Sequence, residues 1–341
     1  MSAPSDPFAA LDRLPRVPLA LLPTPIQPLP RLSAHLGGPA LYIKRDDQTG
    51  LATGGNKTRK LEFLLAAALE SGANCVITAG STQSNHARQT AAGAAALGLD
   101  AHLVLYAPGG QPPAQPDGNL LLCHLLGATI HWTEERAPYA ATLARVEDSL
   151  RAASRRPYVV PYGGSNALGL MGYVAAMREI AAQIESGDWF GAHVFATSSG
   201  GTQAGMLLGA HLAGIPRSVR LLGISVDPPA AELVPRVASL AADGARLLGL
   251  DWTPSVETIL VDDGYCGAGY AVVTAREREA IRLLARLEGV LVDPVYTGRA
   301  LAGLLDLVRR GAFAREGRML FWHTGGTAAL SAFARDLLPE S

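Results

Sequence analysis

From Cys75 almost to its C-terminus, the chain alternates short apolar runs with longer segments of helical periodicity, and few folds accept that pattern. The apolar runs include residues 75–79, 102–106, 158–161, 193–196, 221–226, 258–261 and 319–322. Between them lie amphipathic stretches such as 275–288 and 299–310. Strands read as near-continuous hydrophobic runs when helices cover both faces of a parallel sheet. The expected class is therefore α/β, with parallel sheets flanked by helices. A length of 341 residues suffices for one large or two moderate domains, and no internal repeat or low-complexity linker interrupts the alternation.

Charge and composition narrow the function. Acidic and basic residues are interspersed and leave a formal net charge of −1, which argues against nucleic acid or an anionic membrane surface as partner. The N-terminal residues 1–7 are polar and proline-bearing, without a basic stretch followed by an apolar run. No uninterrupted apolar segment reaches the ~18 residues that mark a membrane span. The 3 cysteines, Cys75, Cys123 and Cys266, are widely spaced and show no zinc-site pattern; Cys75 and Cys123 read as buried thiols. A cytoplasmic enzyme acting on a small molecule is expected.

The chemistry concentrates in Gly54-Gly55-Asn56-Lys57-Thr58-Arg59-Lys60-Leu61-Glu62. Asn56 is a suitable N-cap, and Leu61, Leu64, Leu65 and Leu69 recur at helical spacing, so Lys57 is expected in a first helical turn. The positive end of a helix favours the neutral amine. A neutral amine can attack an aldehyde and form a Schiff base, the usual way of holding pyridoxal phosphate. Alone, the segment could equally be a helix start with solvated lysines. Two loops bear on that choice. Ser81-Thr82-Gln83-Ser84-Asn85-His86 lies between an apolar run and an alanine-rich helix, a setting that offers N–H groups and hydroxyls to a carboxylate. Ser198-Ser199-Gly200-Gly201-Thr202-Gln203 has the same setting, with glycines that let the backbone approach a phosphate.

These blocks, with Ile43-Lys44-Arg45-Asp46-Asp47, Asp293-Pro294-Val295-Tyr296-Thr297-Gly298 and His323-Thr324-Gly325-Gly326, run in order from about Leu22 to Gly326. In that order they resemble the fold-type II pyridoxal-phosphate enzymes. Within these they are similar to the group containing D-cysteine desulfhydrase and 1-aminocyclopropane-1-carboxylate deaminase. The resemblance implies two α/β domains with pyridoxal 5′-phosphate in the cleft between them. The large one would comprise residues 1–57 and 168–341. The small one, 58–167, would be inserted in it and return through Gly163-Gly164-Ser165-Asn166. A ligand beyond the carboxyl ends of the strands agrees with the rule for open α/β sheets. A homodimer is also implied.

Residue by residue, the resemblance implies Lys57 as the Schiff-base lysine, with Lys60 one turn on to neutralise the phosphate. Ser198, Ser199, Gly200, Gly201 and Thr202 match the phosphate loop. Asn85 matches the residue that hydrogen-bonds the cofactor's 3′-oxygen, and Ser84, Asn85 and His86 match the substrate-carboxylate cradle. Tyr270, in the glycine-bearing neighbourhood of 264–269, and Tyr296 match the active-site tyrosines, with Tyr296 packing on the pyridine ring.

Thr297 discriminates between the branches. The deaminases carry glutamate there, which fixes a proton on the pyridine nitrogen. Threonine, as in the desulfhydrases, leaves a weaker electron sink, suited to prompt loss of a good leaving group from Cβ. His86 points the same way, since the deaminases have glutamine at that place. The implied reaction is β-elimination of D-cysteine to pyruvate, ammonia and hydrogen sulfide, with Lys57, Ser84, Tyr270 and Tyr296 in catalytic roles. L-Cysteate or another three-carbon substrate is the alternative, a sulfonate requiring a further cation such as Arg88. Ring-opening deamination ranks below both, and a non-catalytic binding protein is the least favoured reading.

Overall fold

The computed structural model describes residues 6–338 apart from 138, 186 and 268. Most of the polar N-terminal stretch and residue 268 of the 264–269 neighbourhood therefore lie outside the described residues. The chain opens with α1 (Ala9–Asp12), β1 (Ile26–Pro28), α2 (Pro30–Leu36), β2 (Ala40–Lys44) and α3 (Asn56–Glu70). There follow β3 (Cys75–Ser81), α4 (Asn85–Ala96), β4 (Asp100–Tyr106), α5 (Gly118–Leu125), β5 (Thr129–Thr133), α6 (Ala140–Ala152) and β6 (Pro157–Val159). The remainder is α7 (Met171–Gln183), β7 (Ala192–Thr197), α8 (Gly201–Leu212), β8 (Arg220–Ser225), α9 (Ala230–Leu247) and β9 (Leu260–Asp262). It closes with α10 (Ala275–Glu288), α11 (Thr297–Arg309), β10 (Arg318–Trp322) and α12 (Ala334–Leu337).

The strands form a 6-stranded sheet, β1-β2-β10-β7-β8-β9, and a 4-stranded sheet, β5-β4-β3-β6. Apart from β1 against β2, the pairings are parallel, as the apolar runs imply. The antiparallel edge carries no sequence signal. It is a strand of 3 residues ending in Pro28, which has no N–H for a further ladder partner. Side chains alternate between two buried faces: Met319 and Phe321 enter one core, Leu320 and Trp322 the other. The smaller sheet behaves likewise, with Val76 and Leu103 on one side and Ile77 and Val104 on the other. Both Cys75 and Cys123 are free and buried.

Two local expectations are corrected. Helix α3 begins at Asn56 with Gly55, not Asn56, as its N-cap, and no side chain caps it. The run expected as a strand from 258 starts instead with a 3₁₀ turn at Val256–Thr258, because the Thr258 N–H and hydroxyl both donate to Ser255 O, at 2.9 and 2.7 Å.

Candidate active site

The carboxyl ends of β3 and β7 lead into the starts of α4 and α8, and the turn before α3 meets them. That turn is strained. Ala52 and Thr53 have φ of 40° and 70°, the left-handed region that L-residues avoid. Gly54 has φ of 68°, and a Cβ there would stand 1.9 Å from Asp47 O, so only glycine fits. Arg88 holds the turn, donating to Ala52 O at 2.5 Å and Gly54 O at 2.9 Å. Lys57 follows in the first turn of α3. Burial lowers its amine to about 8. Desolvation thus eases deprotonation of the amine, where the sequence suggested the helix terminus.

One cavity is lined by Lys57, Ser84, Asn85, His86, Ser198, Ser199, Gly200, Thr202, Tyr270 and Tyr296. Lys60, Gly201 and Thr297 do not line it. The lining also includes residues to which the sequence assigned no site role: Asn56, taken there as a cap; Ser81, Gly163, Thr324 and Gly325, quoted only as parts of motifs; Ala196 and Thr197, at the strand end; and Tyr162, whose signal was its place before Gly163-Gly164. Lys57 is the cation of the lining, and no carboxylate is among the lining residues.

At the α4 end, Ser84 is the N-cap, its Oγ accepting from Ala87 N at 3.1 Å, so its own proton is free to donate. A Cβ on Gly80 would lie 2.4 Å from that oxygen, which explains glycine inside β3. Asn85 Oδ1 accepts from Asn119 Nδ2 at 2.9 Å, which turns the Asn85 amide nitrogen the other way as a donor. His86 bonds through Nε2 to Thr78 Oγ1 at 2.8 Å. Thr78 donates its own proton to Val160 O at 3.0 Å, so His86 Nε2 carries the hydrogen. Burial, then the charges of Lys57 and Lys60, push the imidazole well below its usual range and keep it neutral. A carboxylate here would rest on helix N–H groups, Ser84 and Asn85 rather than on a histidine charge.

At the α8 end, Asn56 Nδ2 donates to Thr202 Oγ1 at 3.2 Å, leaving the threonine proton free. The Gly201 and Thr202 N–H groups open α8 and find no acceptor among the described residues. Lys60 Nζ donates to Gly163 O and to Ser165 Oγ, each at 3.2 Å, and Ser165 Oγ meets Ser199 Oγ at 2.8 Å. Lys60 therefore reaches the loop through Ser165, behind the wall, and burial followed by the charge of Lys57 disfavours its ammonium form. Ser198 turns its hydroxyl to Asp227 Oδ1 at 2.8 Å. These unpaired donors at a helix start fit a phosphate dianion, and the desolvated Lys57 amine fits an aldehyde, the two ends of pyridoxal phosphate.

The tyrosines form a pair. Tyr270 Oη and Tyr296 Oη lie 2.7 Å apart, and Ser81 Oγ is 3.4 Å from Tyr270. Burial raises both phenols, Tyr296 well above its ordinary value, so both keep their protons at neutral pH. One proton joins the oxygens and the other can be given away. Thr297 is fully buried and its hydroxyl bonds Asp293, while Arg88 spends its guanidinium on backbone carbonyls and Asn119. Among the described residues no helix is long and apolar enough to cross a membrane, and no three metal-ligating side chains converge.

The chain matches the family described as pyridoxal-phosphate dependent enzyme over residues 17–325. Among solved structures, an ACC deaminase homologue is 38% identical, with 98% of this chain and 99% of that chain covered and a TM-score of 0.89. A fungal L-serine ammonia-lyase from Rhizomucor miehei (19% identity, 94% and 99% covered, TM-score 0.67) shares the fold. So does maize serine racemase (19% identity, 92% and 91% covered, TM-score 0.63).

Proposed function

Since the chain belongs to the pyridoxal-phosphate dependent enzymes, we propose that it catalyses β-elimination of D-cysteine, yielding pyruvate, ammonia and hydrogen sulfide with uptake of one water. Pyridoxal 5′-phosphate, the family's cofactor, supplies an electron sink for bond breaking at the substrate's α-carbon when bound. Lys57 would hold it, with its phosphate at Thr202, Ser199 and the α8 N-terminus, backed by Lys60, and its 3′-oxygen at Asn85.

The remaining steps belong to the chain's own residues. The substrate carboxylate would settle against Ser84, Asn85 and the start of α4. Lys57, neutral above about pH 8, can accept the α-proton at Nζ. The Tyr270–Tyr296 pair, with its spare proton, can donate to the departing sulfur.

One observation carries the choice of reaction: the residue after Tyr296 is Thr297, whose hydroxyl is bonded to Asp293, and no carboxylate is among the residues that line the cavity. A ring nitrogen without a carboxylate partner makes a weak sink, adequate when sulfur leaves promptly and poor for opening a carbon ring. A sulfonate substrate finds no support, because Arg88 is turned from the cavity. Ring-opening deamination is the second reading, favoured by the similarity to the ACC deaminase homologue. A panel of D-cysteine, L-cysteine, L-cysteate, D-serine and 1-aminocyclopropane-1-carboxylate decides between them. Sulfide and pyruvate from D-cysteine are expected. A 2-oxo acid from the cyclopropane substrate, with none from D-cysteine, would overturn the proposal.

A further inference from the structure

Arg299 lies three residues beyond Tyr296 in the first turn of α11, is fully buried and does not line the cavity. Its Nε donates to Glu277 Oε1 at 2.9 Å. Its remaining nitrogens are spent on loop carbonyls: Val226 O at 2.5 Å, Gly269 O at 3.2 Å and Val272 O at 2.9 Å. Gly269 and Val272 flank Tyr270 and Ala271. Ala271 has φ of 62°, a left-handed conformation that an alanine keeps only when its surroundings enforce it. A single planar fork thus ties the segment carrying Tyr270 to the helix that follows Tyr296.

We propose that Arg299 is the positioning residue that holds Tyr270 against Tyr296, so that the phenols act as one proton-donating pair. Glu277 fixes the guanidinium from behind: it is buried, caps α10 by accepting from Thr274 N at 2.9 Å, and burial notwithstanding is held ionised by the hydrogen bonds of Thr274 and Arg299. The role of the pair in catalysis rests on the β-elimination reading, whereas the alignment itself does not.

The test is ultraviolet titration of tyrosinate in the cofactor-free protein, joined to turnover of the holoenzyme. In the wild type, Tyr270 is pushed above its ordinary value by burial. Arg299→Met should release it, adding one tyrosine that ionises near the ordinary value of about 10, and the extra step should vanish in the double variant with Tyr270→Phe. Arg299→Lys keeps the charge facing Glu277 but not the fork, so it should show the same extra tyrosine with a melting temperature near wild type. Glu277→Gln, which leaves the fork's carbonyl bonds in place, should not. In the holoenzymes of both Arg299 variants, kcat per bound cofactor should fall tenfold or more with little change in KM. If Tyr270 stays silent in both Arg299 variants, the proposal is overturned, whatever the substrate proves to be. If the titration changes but no tested substrate turns over, the alignment stands and the β-elimination reading fails.

Discussion

The hydroxyl of Thr297 donates to Asp293 Oδ1 at 2.6 Å, and Thr297 Oγ1 in turn accepts the N–H of Asp293 at 2.9 Å. Asp293 also accepts from the N–H groups of Val295, Tyr296 and Thr297, so its carboxylate fixes the turn that presents Tyr296. A glutamate at 297 would meet that carboxylate in a fully buried setting. Thr297→Glu should therefore lower the melting temperature more than Thr297→Gln at pH 8. The gap should close towards pH 5, as one of the opposed carboxyls takes up a proton. Thermal melts of both variants across that range check this; equal losses at every pH would refute the like-charge account. Sulfide release from D-cysteine should fall in both.

Lys57 yields a prediction with a definite sign. Its folded pKa, about 8, lies below its ordinary 10.5 because of burial. Below pH 8 the folded chain bears a desolvated ammonium, and that cost fades between 8 and 10.5 as the amine deprotonates in the fold. Lys57→Met should thus raise the melting temperature of the cofactor-free protein at pH 7, with the gain gone by about pH 10.5. The same variant should retain no cofactor that borohydride can fix to protein and should have no turnover. Mass spectrometry of the reduced wild type should find the adduct on the peptide containing Lys57, and an adduct elsewhere would sink the assignment.

Much of this was legible in the sequence because periodicity reports burial directly. The alternate residues of β10 enter two cores, and the run 319–322 already announced that. The loops after β3 and β7 were legible only together with the Lys57 block, since many α/β proteins carry small polar turns between a strand and a helix. What stayed hidden depends on contacts between distant residues. Tyr162 reaches the cavity only through the packing of the two sheets, and Ser165 matters because Lys60 and Ser199 converge on it. Nor could the sequence tell that Thr297 and Arg88 spend their polar groups on Asp293 and on the turn before Lys57.

Thr202, Lys60 and Ser165 should govern cofactor retention. Thr202 keeps a free proton for an anion, and a hydrogen bond to a charged group contributes about 1.5–3 kcal/mol, so Thr202→Ala should weaken binding tenfold or more. Lys60→Ala should do the same. Ser165→Ala severs the link between Lys60 and Ser199 without touching the cavity wall and should have a smaller effect in the same direction. Loss of pyridoxal phosphate on dialysis, followed by absorbance, measures all three. Wild-type retention in Thr202→Ala and Lys60→Ala together would show that the phosphate sits elsewhere.

Arg88 should prove as necessary for this site as any residue that touches its cavity. It is fully buried, and none of the ion pairs found among the described residues includes it. Burial lowers it to about 10, so it stays charged at neutral pH. Its partners are Ala52 O, Gly54 O, Asn119 Oδ1 and, at 3.5 Å, Asn85 Oδ1, and Asn119 also orients the amide of Asn85. Removing the guanidinium leaves the first three of these acceptors unpaired, at about 1–3 kcal/mol for each buried group. The left-handed turn at Ala52 and Thr53 would lose what enforces it. A lysine has no planar fork to span both the turn and Asn119. Arg88→Lys should therefore lower the melting temperature, speed amide hydrogen exchange across residues 51–56 and release cofactor tenfold faster, while exchange in β7 and β10 stays as in wild type. Unchanged exchange across 51–56 would mean that the turn holds Lys57 in place without Arg88.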